Sequence, residues 1–189
     1  MRNTGAVRAL YPIPVGIGRP SRFENRVVNA IAGDWDFVSS FSGRSALPVN
    51  VTIDRLSSAV ATGYTVRQRP DRVPGVAIRP RQGPRVYEWM NPDAFSAVHG
   101  LYGTAPRNAA QGPDQWRMDT GLRRQFPLPR KVRLAMRADV QNVFNHAQYA
   151  QPLADWSTPQ FGKIISPSNP GRVGAGGARA LFLSFDVNY

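Results

Sequence analysis

The chain of 189 residues contains no cysteine, only two histidines and only two glutamates. The lack of cysteine excludes disulfides and thiolate metal sites. His99 and His146 lie far apart, neither has a glutamate at metal-ligand spacing, and His146 fits a polar turn residue better. Glu24, Glu88 and scattered aspartates offer no evident acid/base pair. We therefore expect a protein that is not an enzyme and that binds no cofactor or metal ion.

Long apolar runs are also missing. No stretch approaches the ~18 apolar residues of a membrane-spanning helix, and 17 glycines with 17 prolines make long helices rare. This excludes helical membrane proteins but leaves β-barrels, whose strands alternate apolar and polar residues. Residues 1–18 lack the apolar core of a signal peptide. We therefore expect either a cytosolic protein or a fragment of a longer exported one.

The charge is strongly positive, with 24 Lys and Arg against 12 acidic residues and a net charge of +12. Such a balance is typical of nucleic-acid binding. The arginines are, however, spread along the chain, and the one local cluster lies among prolines: Arg67, Arg69, Arg72, Arg79, Arg81 and Arg85. We interpret this cluster as a solvated loop and expect no nucleic-acid partner.

Several segments alternate with period two over the ~9–11 residues of a tilted membrane strand. The clearest is the last, where alternate positions are apolar or aromatic: Leu181, Leu183, Phe185, Val187 and Tyr189. Residues 131–145 also fit a helical stripe, so periodicity alone leaves that segment open and its neighbours favour a strand. The sequence predicts strands near residues 5–15, 34–45, 115–126, 131–145 and 178–189.

The connections between these segments differ greatly in length. Residues 127–130 form a tight linker, whereas 46–114 and 146–177 are long, poorly periodic and rich in Pro, Gly, Asn and Arg. Long loops count against a compact soluble domain, but outer-membrane barrels have short periplasmic turns and long extracellular loops. The predicted fold is therefore all-β, with antiparallel strands of an incomplete transmembrane β-barrel and long extracellular loops.

In such a barrel the two faces of each strand have different surroundings. We expect charged residues to face the lumen, since a basic residue on the lipid side costs ~2–4 kcal/mol near mid-bilayer; they are Asp119, Arg133, Arg137, Asp139 and Asp186. Aromatic rings favour the bilayer interfaces. We predict an aromatic girdle with one level at Trp35, Phe126 and Tyr189 and the other at Trp116 and Phe144.

A resemblance to a known family rests on several motifs in order along the chain. They are VVNAIAGDWDFVSSFSGRSALPVNV, RPDRVPGV, WMNPDAFS, GLYGTAPRNAAQGP, DVQNVFNHAQY followed by TPQFGKI, and the closing LFLSFDVNY. Together they resemble the C-terminal part of TonB-dependent outer-membrane receptors, of the subgroup with a carboxypeptidase-regulatory-like N-terminal domain. The resemblance implies a 22-stranded barrel with an internal plug. It also implies that the barrel-assembly machinery reads the last strand, through Leu183, Phe185, Val187 and Tyr189.

The expected function follows from this resemblance. The chain would be part of an outer-membrane receptor that takes up an unidentified solute, and it would not function alone. Its partners would be outer-membrane lipid, the assembly machinery, the upstream barrel and plug, and through them TonB. Arg79, Arg81 and Arg85 would favour anionic ligands. Two alternatives stay open, a soluble basic all-β module that binds nucleic acid and a small stand-alone outer-membrane barrel, which needs ~8 strands.

Overall fold

The computed structural model describes residues 3–55, 66–83, 85–168 and 177–188. The chain forms two compact units. Among the described residues, the strand unit comprises 3–44, 116–147 and 177–188, and the loop unit comprises 45–55, 66–83, 85–115 and 148–168. Among the described residues, no helix combines the length and the apolar character needed to cross a membrane.

Strands dominate both units. One helix, α1, spans Arg26–Ala32, and two short 3-10 turns span Pro92–Ala94 and Pro129–Lys131. The strands in chain order are β1 Thr4–Pro12, β2 Asp36–Arg44, β3 Pro48–Val49, β4 Ile53–Arg55, β5 Val66–Gln68, β6 Asp71–Arg72, β7 Phe95–Ser96, β8 Ala110–Gln111, β9 Gln115–Pro127, β10 Arg133–Gln141 and β11 Ala180–Asn188.

The strand unit is built on one five-stranded sheet in the order β1-β2-β9-β10-β11. The pairs β1–β2, β9–β10 and β10–β11 are antiparallel. The fold is therefore all-β and antiparallel, and the described strands do not close into a barrel. Each of these five strands overlaps one of the five segments for which the sequence predicts strands. β1 runs only from Thr4 to Pro12 and β10 only from Arg133 to Gln141, whereas β9 extends to Pro127.

The pairing of β10 with β11 shows why residues 131–145 do not form a helix. Leu134 lies opposite Val187 and Met136 lies opposite Phe185, so apolar side chains meet on one face of the pair. A shift of one residue would move every side chain of β11 to the other face. The alternation therefore fixes both the strand conformation and its register.

A tight turn joins β9 to β10. Pro129 opens the 3-10 turn, which suits its fixed φ. Arg130 and Lys131 adopt φ of 62° and 64°. The Leu128 amide donates to the Val132 carbonyl at 2.8 Å. This connection has the hairpin length that the sequence predicts.

The connection between β1 and β2 contains α1, which the sequence pattern does not predict. Asn25 caps the helix, because its Oδ1 accepts hydrogen bonds from the Val27 and Val28 amides at 2.8 and 3.3 Å. A helix of seven residues shows too few turns for a helical period to stand out.

The long connections fold into the loop unit, which has a core of its own. Three two-stranded sheets pair β3 with β8, β4 with β5 and β6 with β7. Buried apolar residues join these sheets: Val49, Val51, Met90, Ala94, Phe95, Ala105, Ala110 and Phe161. The described residues of the segments 46–114 and 146–177 therefore have more regular structure than their sequence indicates.

Candidate functional site

One face of the five-stranded sheet is apolar. The register of the strand pairs, together with stacking of Phe41 on Trp116 at 6.3 Å, joins the following residues into this apolar face: Val7, Tyr11, Phe37, Phe41, Trp116, Leu122, Phe126, Leu134, Met136, Val140, Leu181, Leu183, Phe185 and Val187. On β11 its members are 58–64% exposed. An exposed apolar surface of this size is unfavourable in water and matches the hydrocarbon of a bilayer.

Aromatic rings lie at both ends of the apolar face. Trp35 meets Phe126 edge-on at 6.3 Å, where β2 begins and β9 ends. Trp116 meets Phe144 at 5.8 Å, where β9 begins and β10 has ended. The structure thus groups these four rings into the two pairs named from the sequence. Tyr189 lies outside the described residues. The position of the rings at the bilayer interfaces stays a prediction.

The opposite face of the sheet carries charged residues, and several of them form ion pairs. Arg117 lies 2.9 Å from Asp119, and Arg137 lies 2.5 Å from Asp139. Gly121 faces Asp139 across the β9–β10 pair, and a Cβ at this position would meet the Asp139 Oδ1 at 2.3 Å. Glycine therefore leaves room for these ion pairs, which border a cavity of about 150 Å³.

Two further charges of the polar face lie nearer its end. Arg133 is opposite Asn188, and Asp186 is opposite Ala135. The structure therefore brings Asp119, Arg137 and Asp139 together and leaves Arg133 and Asp186 apart from them.

Arg124 is the one charged residue of β9 that the alternation places on the apolar face. Its Nη2 lies 3.7 Å from the Asp34 Oδ2, and its guanidinium lies over the Phe126 ring at 4.3 Å. The residue is only 6% exposed. Asp34, held at a φ of 58° just before β2, supplies the counter-charge. Arg124 thus interrupts the apolar alternation of β9, but its guanidinium is buried and pairs with Asp34.

Asn142 directly follows β10 and holds the turn after this strand in place. It is fully buried, and its backbone amide donates a hydrogen bond to the Asp119 Oδ1 at 2.8 Å. Its side chain accepts from the His146 amide at 3.0 Å and donates to the His146 carbonyl at 2.9 Å and to the Gly177 carbonyl. The His146 ring stacks on Trp116 at 4.2 Å. In residues 131–145, Asn142 is a polar residue at an otherwise apolar alternate position, and this pattern does not predict its structural role.

The basic cluster of the loop unit does not form a single site. The Arg72 guanidinium donates to the carbonyls of Val73, Val76 and Ala94, so it holds backbone in place. Arg79 donates to the Gln111 Oε1 at 3.4 Å. The other members line two separate cavities.

The larger of these cavities has a volume of about 960 Å³ and carries both signs of charge. Arg81, Arg85 and Lys163 line it together with Glu88 and Asp93. Arg85 also donates to the Gln82 Oε1 at 3.3 Å. The acidic residues offset much of the positive charge that the sequence predicts for an anion site at Arg79, Arg81 and Arg85.

The second cavity has a volume of about 490 Å³ and is lined by arginine without an acidic residue. We call it the arginine pocket; its lining is Asn50, Thr52, Arg67, Gln68, Arg69, Tyr102, Gly103 and Arg107. Arg107 was missed in the sequence because it lies in a loop distant from the basic cluster. Within the described part of the chain, no group of three or more His, Cys, Asp or Glu residues is arranged to hold a metal ion.

Comparison with known families agrees with this geometry. A family model described as outer membrane beta barrel domain matches residues 1–174. The match includes four of the five strands of the main sheet and ends before β11. No curated protein and no solved structure matches the chain. The chain belongs to the family of outer membrane beta barrel domains, and its location is the outer membrane.

Proposed function

We propose that this protein is part of a TonB-dependent outer-membrane receptor that imports a scarce solute. The observation that carries the proposal is the sheet with one apolar and one charged face. In a barrel wall every backbone group pairs between strands, so the side chains alone must match lipid outside and water inside. When further strands complete the barrel, a wall of this kind encloses a polar path through which a solute can pass.

The motifs that resemble TonB-dependent receptors support this particular class of barrel. The motif WMNPDAFS supplies Met90, Ala94 and Phe95 to the core of the loop unit, and its Asn91 Oδ1 accepts from the Asp93 amide at 3.0 Å. The motif DVQNVFNH contains Asn142, whose side chain forms hydrogen bonds with the His146 backbone in the turn after β10. The residues that carry the resemblance are thus residues on which the fold depends.

The proposal includes no enzymatic activity. On the polar face, Asp119 forms an ion pair with Arg117, and Asp139 forms one with Arg137. We assign these residues to the hydrated lining of the lumen.

We also propose that β11 is the strand that the barrel-assembly machinery reads. Leu183, Phe185 and Val187 are 58–63% exposed along one edge of the sheet, where a partner can contact them. Phe185→Ser should lower the amount of folded protein in isolated outer membranes, measured by immunoblotting of unheated samples. Ser184→Ala, on the other face of the same strand, is the control. Equal amounts of folded protein in the Phe185→Ser variant and the parent would contradict this role.

The import function is tested by comparing strains. Wild-type cells, cells lacking the gene for this protein and cells lacking TonB grow in the same complex medium, and mass spectrometry follows which solutes disappear. We expect at least one solute to remain in the medium of both deletion strains. If the gene-deletion strain consumes every solute that the wild type consumes, or if TonB is not needed for the affected solute, the proposal is wrong.

A further inference from the structure

The arginine pocket is held together by side chains that connect distant segments. The Asp71 Oδ2 accepts from the His99 amide at 2.9 Å and contacts the His99 Nδ1 at 3.2 Å, while its Oδ1 accepts from the Thr104 amide at 2.9 Å. These hydrogen bonds lower the pKa of Asp71 to about 2, chiefly through the His99 and Thr104 amides. The carboxylate is therefore charged at neutral pH and fixes the loop that carries Tyr102.

Close backbone packing completes the walls of the pocket. A Cβ on Gly103 would lie 1.8 Å from the Arg69 carbonyl oxygen, so only glycine permits this approach. The Ala105 amide donates to the Pro70 carbonyl at 3.0 Å. The Asn50 Oδ1 accepts from the Asn108 amide at 2.7 Å and so holds the segment next to Arg107. The three arginines thus extend from segments whose backbone is fixed.

The three arginines differ in how far their charge is compensated. Arg67 bridges Asp54 at 3.0 Å and Asp155 at 3.2 Å, and the hydrogen bond to Asp54 raises its pKa. Within the described residues, Arg69 and Arg107 have no carboxylate partner. The pocket therefore joins one guanidinium with two carboxylate partners to two guanidinium groups that have none among the described residues.

Guanidinium groups recognise carboxylates and phosphates, because their planar forks donate two parallel hydrogen bonds to such groups. The polar side chains of Asn50, Gln68 and Tyr102 line the same cavity and offer further hydrogen-bond donors. A cavity of about 490 Å³ lies within the usual size of small-molecule sites.

We propose that the arginine pocket binds a small soluble molecule with two or more carboxylate or phosphate groups, which Arg69 and Arg107 contact directly. Arg67 is a positioning residue that joins β4, β5 and the Asp155 segment at the edge of the pocket. The proposal that the pocket binds such a molecule does not require that the protein transports it. The statement that the bound molecule is also the imported solute rests on the proposed function.

The test measures anion binding by the protein purified from outer membranes in detergent. Citrate and pyrophosphate are titrated by calorimetry at low ionic strength, since salt screens charges on an exposed surface. The double variant Arg69→Ala/Arg107→Ala removes the uncompensated charges. The control Arg22→Ala/Arg26→Ala lowers the net charge equally at exposed positions of the strand unit. Circular dichroism and limited proteolysis check that each variant is folded.

We expect citrate or pyrophosphate to bind the parent and the control alike, and at least tenfold more weakly to the pocket variant. The inference is overturned if neither anion binds the parent, or if the control loses as much affinity as the pocket variant. Lipid A, which also carries phosphates, is titrated in the same detergent. Tighter binding of lipid A, lost in the pocket variant, would assign the pocket to a membrane lipid and overturn the soluble ligand. These outcomes do not depend on the solute-uptake result.

Discussion

The position of Leu183 in β11 allows an estimate of how much a charged side chain on the apolar face would lower the free energy of unfolding. This residue is the fourth of nine in β11, lies opposite Ala138 and is 63% exposed. A strand rises about 3.4 Å per residue. With a tilt of about 40° in a barrel, nine residues span roughly 20 Å of membrane depth, and Leu183 lies within about 3 Å of the middle.

At this depth Leu183→Arg should lower the free energy of unfolding by about 2–4 kcal/mol, the cost of a basic residue near the bilayer midplane. The same strand offers a matched control. Phe182 is the preceding residue, points to the polar face opposite Asp139 and is 39% exposed. An arginine at this position faces the hydrated side and lies opposite Asp139, which already pairs with Arg137, so Phe182→Arg should cost about 1 kcal/mol or less beyond the lost packing of the ring.

The assay is reversible urea unfolding of the protein in phospholipid vesicles, followed by tryptophan fluorescence. Both variants replace a large apolar residue by arginine at adjacent positions, so they differ mainly in the face that carries the charge. If Leu183→Arg and Phe182→Arg destabilise the protein equally, or if Phe182→Arg is the more harmful, the assignment of the two faces is wrong.

The remaining predictions concern single residues of both units. Gly103→Ala should open the loop that it anchors and speed proteolysis there, whereas Gly100→Ala should not, because its Cβ would have no neighbour closer than 3.9 Å. The pKa of Asp71 is lowered from 3.8 to about 2 in the folded protein, so its stabilising contribution is present above about pH 4 and is lost as the pH falls toward 2. Asp71→Asn should remove this dependence from urea midpoints measured between pH 5 and pH 2. Asn142→Ala leaves the half-buried carbonyls of His146 and Gly177 without their donor and should cost about 1–3 kcal/mol in the same unfolding assay. An unchanged free energy of unfolding would contradict the structural role of Asn142.

The sheet could be predicted from the sequence because its strands are long enough to show a period. In β11 every second residue from Leu181 to Val187 is apolar, and in β9 only Arg124 interrupts the alternation. The two prolines at 127 and 129 mark the turn between β9 and β10. For β10 the helical and the strand pattern overlap, so only the partner strands decide between them.

The loop unit could not be predicted in this way. Its strands are two or three residues long, which is too short to show alternation. Val51 and Phe161 belong to the same buried core although more than half of the chain separates them. Packing between such distant residues leaves no local pattern, so the sequence shows the segments only as long connections.

The arginine pocket could be found only in part from the sequence. Arg67 and Arg69 belong to the basic cluster that composition shows, but Arg107 joins them only because Asn50 and Asp71 hold two loops in place. The same folding sends Arg72 to backbone carbonyls and Arg81 to a cavity that also contains acids. Charge counted along the chain therefore does not show which charges share a site.

The central claim is that the sheet is a membrane wall with one lipid face and one lumenal face. It is tested most directly on β11, which lies beyond the residues that the family model matches. Because the chain has no cysteine, spin labels can be attached to single cysteines at positions 182, 183, 184 and 185 of the protein in lipid vesicles. Oxygen, which concentrates in lipid, should relax the labels at 183 and 185, and a water-soluble nickel chelate should relax those at 182 and 184. Labels that respond alike at all four positions, or with the reverse alternation, would contradict the claim.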